Sequence, residues 1–209
     1  MSPSTAVLQA SALRSRHAQL PVLEGLDIEL APGITLVRGG EGRGKTTLLR
    51  LLAGEPDAGS ACARIGAVER GQDAAAYRSR VYWVDPRSPD LDPVPVREWL
   101  AQLGHRWPPQ DAALLQRLIT GFDLQDHLDK AMFMLSTGSR RKVWLAAGLS
   151  AGAPVTLFDQ PFAALDTASC RFLVEQLNER AREEGRAWVI ADYEAPAALA
   201  LSQVIDLGD

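Results

Sequence analysis

The chain of 209 residues is poor in the residue types that build several common kinds of site. It holds 2 cysteines and 3 histidines, and neither type recurs at metal-ligand spacing. Cys62 and Cys170 are therefore expected as reduced, packed thiols rather than a disulfide framework. Positive charge is not in excess: the net charge is −4, which leaves no electrostatic footprint for nucleic acid, so no nucleic-acid partner is expected. There is no run of 18 or more apolar residues, so no spanning helix is expected. Residues 1–5 lack the charged and apolar regions of a signal peptide, and a cytoplasmic location is expected. No internal repeat or low-complexity tail is visible. What remains is an apolar fraction of 46%, ordinary for a globular chain and ample for a sizeable core.

Against that background one segment stands out. Gly39-Gly40-Glu41-Gly42-Arg43-Gly44-Lys45-Thr46 fits G-x-x-x-x-G-K-[ST], the loop that cradles nucleotide phosphates. Its flanks agree. Ile34-Thr35-Leu36-Val37 reads as a buried strand, and Lys45 to Ala53, through Thr47, reads as a helix. Gly39, Gly42 and Gly44 allow a tight backbone whose N–H groups face an anion, and the helix N-terminus adds partial positive charge. In such a loop Lys45 reaches the β- and γ-phosphates and the Thr46 hydroxyl ligates Mg²⁺.

The rest of the chain is patterned as strands alternating with helices. Val22–Leu30 alternates like a half-buried strand. Val81–Val84, Val155–Phe158, Trp188–Ala191 and Val204–Leu207 are short β-rich runs, and Thr167–Glu184 carries helical spacing. This argues for an α/β fold with a mostly parallel sheet. The middle third differs: prolines 86, 89, 93 and 95 open it, and Val96–Leu103 and Asp111–Ile119 read as short helices. The expected organisation is one domain over 1–209, with a helical subdomain at about 86–150 inserted in the core and an antiparallel β element near the N-terminus. The five tryptophans are expected to pack rather than to cage a ligand.

Three later segments narrow the chemistry. Val155-Thr156-Leu157-Phe158-Asp159 is a strand that delivers one carboxylate, suited to the shell of a nucleotide-bound Mg²⁺. Leu135-Ser136-Thr137-Gly138-Ser139 precedes an apolar helix; it reads as a second phosphate cradle, or as an ordinary cap at Ser136 or Thr137. Ala164-Leu165-Asp166 follows the Asp159 strand at short range, before a helix. Arg140-Arg141-Lys142 occupies the first turns of a helix, where the dipole disfavours cations; this points to an anion or partner contact, or to a solvated face.

In this order the motifs resemble those of the ATP-binding subunits of ABC transporters, over nearly the whole chain. The matches are the P-loop at 39–46, the LSxG signature at 135–138, the Walker B strand at 155–159 and the D-loop at 164–166. The short length and the Leu-Ser-x-Gly-x-Arg-Arg run also resemble the haem-exporter ATPases of cytochrome c maturation. The resemblance implies a P-loop NTPase that binds ATP and Mg²⁺. It implies two cassettes meeting head to tail, each γ-phosphate held between the P-loop of one and the signature of the other. Ser136 and the Gly138 N–H then contact the nucleotide held by the partner cassette, which is either a second copy or a relative. It further implies docking on a membrane permease, hence a peripheral place on the inner face of the cell membrane.

The departures from that family are concentrated around the γ-phosphate. Gln160 stands where the family has the glutamate that polarises the attacking water, and an amide is no base near neutral pH. Asp85 stands near the Q-loop position and Asp192 at the switch histidine, with Tyr193 next. Ser139 replaces a common glutamine, and His17 is the best match to the adenine-stacking aromatic. Gln160, Asp85 and Asp192 are thus the candidate catalytic positions, and Thr46, Asp159 and Asp85 the candidate Mg²⁺ ligands. Binding elements are kept while hydrolytic ones change, so slow intrinsic hydrolysis is expected. Two readings stay open beside it: Asp85 replaces the missing base, or the cassette is a non-hydrolysing regulatory partner. A non-transport ABC ATPase is disfavoured by the single cassette and the absent basic patch. A small-molecule kinase is disfavoured by the second cradle.

Overall fold

The computed structural model describes residues 6–16, 23–85 and 88–208. Two sheets are joined by the phosphate-loop segment. The first is antiparallel, in the order β2-β1-β4-β5, from β1 (Leu8–Ser15), β2 (Leu26–Leu30), β4 (Gly59–Ile65) and β5 (Val68–Glu69). The second is parallel, in the order β6-β7-β8-β3-β9, from β3 (Gly33–Arg38), β6 (Val81–Tyr82), β7 (Val155–Asp159), β8 (Ala187–Asp192) and β9 (Leu201–Asp206). The central strands β7, β8 and β3 are almost wholly buried, as strands covered on both faces must be. β9 forms the edge, with Leu201 and Val204 exposed.

The apolar side chains sort into two clusters. One lies between the antiparallel sheet and α1 (Lys45–Leu52), where Leu48, Leu49, Leu51 and Leu52 meet Leu8, Leu13 and Ile28. The other gathers α3 (Val96–Arg106), α4 (Ala112–Gly121), α5 (Thr137–Ser150) and α6 (Thr167–Arg180) against the opposite face of the parallel sheet. Short α2 (Ala74–Ser79) leads into β6. All five tryptophans are buried, as expected. Trp107 donates to the Val81 carbonyl and packs on Tyr82, whose hydroxyl donates to the Trp144 carbonyl in α5.

Several expectations need correction. The strand expected over Val22–Leu30 is shortened to Leu26–Leu30, because Gly25 at φ 73° turns the chain before it; Val22 lies outside the described residues. Val81–Val84 pairs only over its first two residues. The helix expected to Glu184 stops at Arg180, followed by a turn closed by Gly185 at φ 74°. α3 and α4 run longer than expected, to Arg106 and Gly121. Cys62 is exposed rather than packed, and Cys170 is half-buried; both are free.

α5 is seated on β7 with almost no space to spare. A Cβ on Gly148 would lie 2.6 Å from both Phe158 and Tyr82. Gly148→Ala is therefore expected to cost about 1–3 kcal/mol of stability, as overpacking does in a filled core. Urea unfolding of the two proteins checks it: the midpoint falls while the slope is unchanged.

Candidate nucleotide site

The parallel register sets the geometry of the site. Val37 pairs with Ala191 and Arg38 with Asp192 across β3 and β8, and Asp159 pairs with Ala191 across β7 and β8. The strand ends that carry Asp159, Asp192 and the start of the phosphate loop are thus side by side at one edge, where α/β sheets place their ligands. The loop then enters α1 through Gly44, at φ 93°. A side chain there would be strained, so the tight entry needs glycine.

Lys45 Nζ donates to the carbonyls of Gly39 (2.5 Å) and Gly40 (2.8 Å), and its side chain is buried within the loop. Thr46 Oγ1 donates to Asp159 Oδ2 at 2.7 Å. These two residues come from motifs 113 positions apart, and the fold brings their oxygens into contact. One hydroxyl and one carboxylate beside a phosphate cradle form a hard oxygen donor set. That suits Mg²⁺, which keeps waters and phosphate oxygens for its other positions. Among the described residues no cluster of three or more acidic, His or Cys side chains forms a separate metal cage. The loop is anchored to the chain's end: Gly40 N–H donates to Gly208 and Arg43 Nε to Leu207. Glu41 and Gly42 are exposed, and Thr47 is half-buried in the first turn of α1.

Gln160 follows Asp159 in a left-handed backbone conformation, φ 48°. Its N–H donates to Ala191 and its carbonyl accepts from Arg141, which fixes the residue between β8 and α5. Asp192 is half-buried, and burial pushes its carboxyl above the usual value; Asp159 adds to this, while the Tyr193 N–H, Lys45 and Arg141 oppose it. Asp85 is placed differently. It lines a groove with Arg50, Glu55, Arg78, Trp83 and Arg106, and its charge helps to raise the Arg50 pKa. Among its neighbours in that groove, Arg50 and Arg106 are cations. His17 lies outside the described residues.

The segment expected as a second cradle or an ordinary cap lies at the start of α5. Ser136 is its N-cap, with Oγ accepting from the Ser139 N–H at 3.1 Å and sharing a hydrogen bond with Ser139 Oγ. Gly138 sits against the D-loop, where a Cβ would be 2.5 Å from the Ala164 carbonyl. The described contacts of Ser136 and Gly138 are with this neighbourhood, and none is with the Gly39–Thr46 loop. The basic run is neither a solvated face nor an open anion site. Arg140 pairs with Asp92 and the Ser88 carbonyl, Arg141 bonds Gln160, and Lys142 pairs with Asp166. Asp166 also caps α6 through Ser169; Lys142 and that cap hold its carboxyl far below the usual range.

With this geometry in place, comparison with known proteins decides the family. The model of the ABC transporter family matches residues 23–163. The chain belongs to the ABC transporter family, as an ATP-binding subunit. It is an ATPase of the ABC type. It is 32% identical to the cytochrome c biogenesis ATP-binding export protein CcmA of Pseudomonas syringae pv. syringae, over all of this chain and 98% of that one. It is 31% identical to the phosphonates import ATP-binding protein PhnC 2 of Albidiferax ferrireducens, over 93% of this chain and 76% of that one. An export and an import subunit are therefore matched at nearly the same identity. The fold is shared with a putative ABC transporter ATP-binding protein from Pyrococcus furiosus, at a TM-score of 0.72 and 20% identity over 96% of each chain.

Two contacts at this site could not be read from the sequence. Arg141 reaches Gln160, and Tyr193 lies against Lys45. A cation in the first turns of the signature helix was the available signal for the first.

The Asp192 carboxyl gives a pH prediction. Its folded pKa is raised, so between the ordinary and the raised value the native state binds the extra proton. Stability therefore falls as pH rises through that window. Asp192→Asn should melt higher than wild type near neutral pH, and the gap should close by about pH 4. Melting curves at the two pH values check this.

Proposed function

We propose that this ABC cassette binds MgATP at the Gly39–Thr46 loop and hydrolyses it slowly by itself. The observation that carries the reading is the Thr46–Asp159 contact, with Gln160 fixed directly after it. Thr46 and Asp159 would hold Mg²⁺, which supplies charge neutralisation to the phosphates when bound. Lys45 is positioned to exchange its two loop carbonyls for phosphate oxygens. Gln160 orients a water by hydrogen bonding and cannot take its proton near neutral pH. A rescue by Asp85 as base is the rival reading, and Asp85→Asn separates the two: loss of turnover with ATP binding kept favours the rival. On the same reading His17 is the candidate to stack on the adenine.

The cassette works as one unit over residues 1–209, with the helical subdomain at about 86–150 carrying the signature. It pairs head to tail with a second cassette, identical or related. Ser136 and Gly138 then close on the partner's nucleotide; their separation from this chain's own phosphate loop supports that role. ATP binding and hydrolysis drive a membrane permease from the cytoplasmic face of the cell membrane. Phe133 and Met134, 66% and 59% exposed directly before the signature, support a partner-facing surface there. So does the groove of about 390 Å³ between Trp83, Leu91 and Trp144. No nucleic acid is involved on this reading. A regulatory cassette in a heterodimer is the same assembly with the chemistry left to the partner.

Purified protein with Mg²⁺ should bind ATP yet turn over far below the usual range of transport ATPases. Gln160→Glu should raise turnover on the order of 10²-fold by restoring a base. A wild-type rate in the normal range, or no gain in the variant, would overturn the slow-hydrolysis reading.

A further inference from the structure

Tyr193 follows Asp192 at the end of β8, and its side chain is not absorbed by the core. The Lys45 ammonium lies 4.1 Å from the centre of the Tyr193 ring. The residue is 48% exposed, and its hydroxyl is engaged by no other described residue. Its backbone N–H donates to Asp192 Oδ1 at 2.8 Å. The Asp192 carboxylate is thereby turned back on its own chain, while the aromatic ring is turned toward the phosphate loop.

The chemistry of the two neighbours differs where it matters. Lys45 marks the position of the β- and γ-phosphates. A phosphate oxygen bound to the ammonium lies about 3 Å from it, beside the ring that the same ammonium touches. An ionised Asp192 offers only acceptors and repels that oxygen. A phenolic O–H donates a hydrogen bond without adding negative charge. Gln160 is tied to β8 and α5 through its backbone.

We propose that Tyr193 reads the γ-phosphate: its O–H donates to a γ-phosphate oxygen of ATP held by the Gly39–Thr46 loop, while its ring supports Lys45. The proposal rests on the nucleotide-site reading above. ADP lacks that phosphate and cannot make the bond. The difference in binding free energy between ATP and ADP, which is what such a machine converts into a conformational change, is then partly set at Tyr193.

Calorimetric titration of the full chain with Mg²⁺ tests it, using ADP and the imidotriphosphate analogue of ATP as probes. Tyr193→Phe keeps the ring over Lys45 and deletes only the hydroxyl. It should weaken the triphosphate analogue about tenfold, as expected for a hydrogen bond to a charged group, and leave ADP unchanged. Tyr193→Ala should lose the same preference for the triphosphate. A Tyr193→Phe protein that binds both probes like wild type shows the ring to be packing only and overturns the proposal. Tighter triphosphate binding by Tyr193→Ala shows the ring to be an obstruction and also overturns it. If wild type binds neither probe, the nucleotide-site reading fails as well. The wild-type titration therefore separates the two failures.

Discussion

The Thr46 hydroxyl and the Asp159 carboxylate meet at 2.7 Å, and the site is organised around that contact. It exists because β3 and β7 both pair in parallel with β8, so their C-terminal ends stop at the same level. Parallel strands need long crossovers, and the residues between Lys45 and Val155 serve as that crossover. Most of the helical material sits there. The fold therefore separates two tasks. The sheet edge fixes the phosphate loop and Asp159, while the helical part can vary in what it meets.

A second set of bonds ties these parts together. Arg141 and Lys142, on consecutive positions of α5, bond to Gln160 and Asp166 at the two ends of the loop after β7. Gly138 closes the same loop against Ala164. Gln160 and Ala164 both sit in left-handed backbone conformations, at φ 48° and 59°. Such conformations persist only where surrounding bonds over-determine them. The segment that follows Asp159 is thus held by the helix whose N-terminus carries the second cradle. The loop after β7 and the start of α5 are thus held as one packed unit.

The parts of the site that rest on local chemistry were legible in the sequence. The glycines, Lys45 and Thr46 lie within eight positions and need each other locally. The β7 carboxylate and the Ser136 cap are likewise local patterns. The antiparallel sheet was only partly legible. β1 carries a bulge at Ala12, φ 51°, which breaks its alternation, and β4 is written in small residues, Gly-Ser-Ala-Cys-Ala. The basic run at 140–142 could be read two ways, because nothing in sequence shows that Asp92, Gln160 and Asp166 lie within reach of it.

Asp85, Gln160 and Asp192 look equivalent as departures from a family pattern, yet the fold gives them different surroundings. Gln160 and Asp192 stand at adjacent strand ends beside Lys45 and Arg141, while Asp85 joins Arg50 and Arg106 in a groove. Tyr193 carries no motif and still touches the loop lysine. Residue order alone determined that a phosphate cradle, a strand-end carboxylate and a signature helix exist, because each is short-range and needs particular side chains. Which side chains stand beside one another was decided by strand register and helix packing. Those are set by burial summed over the whole chain, not by any one segment.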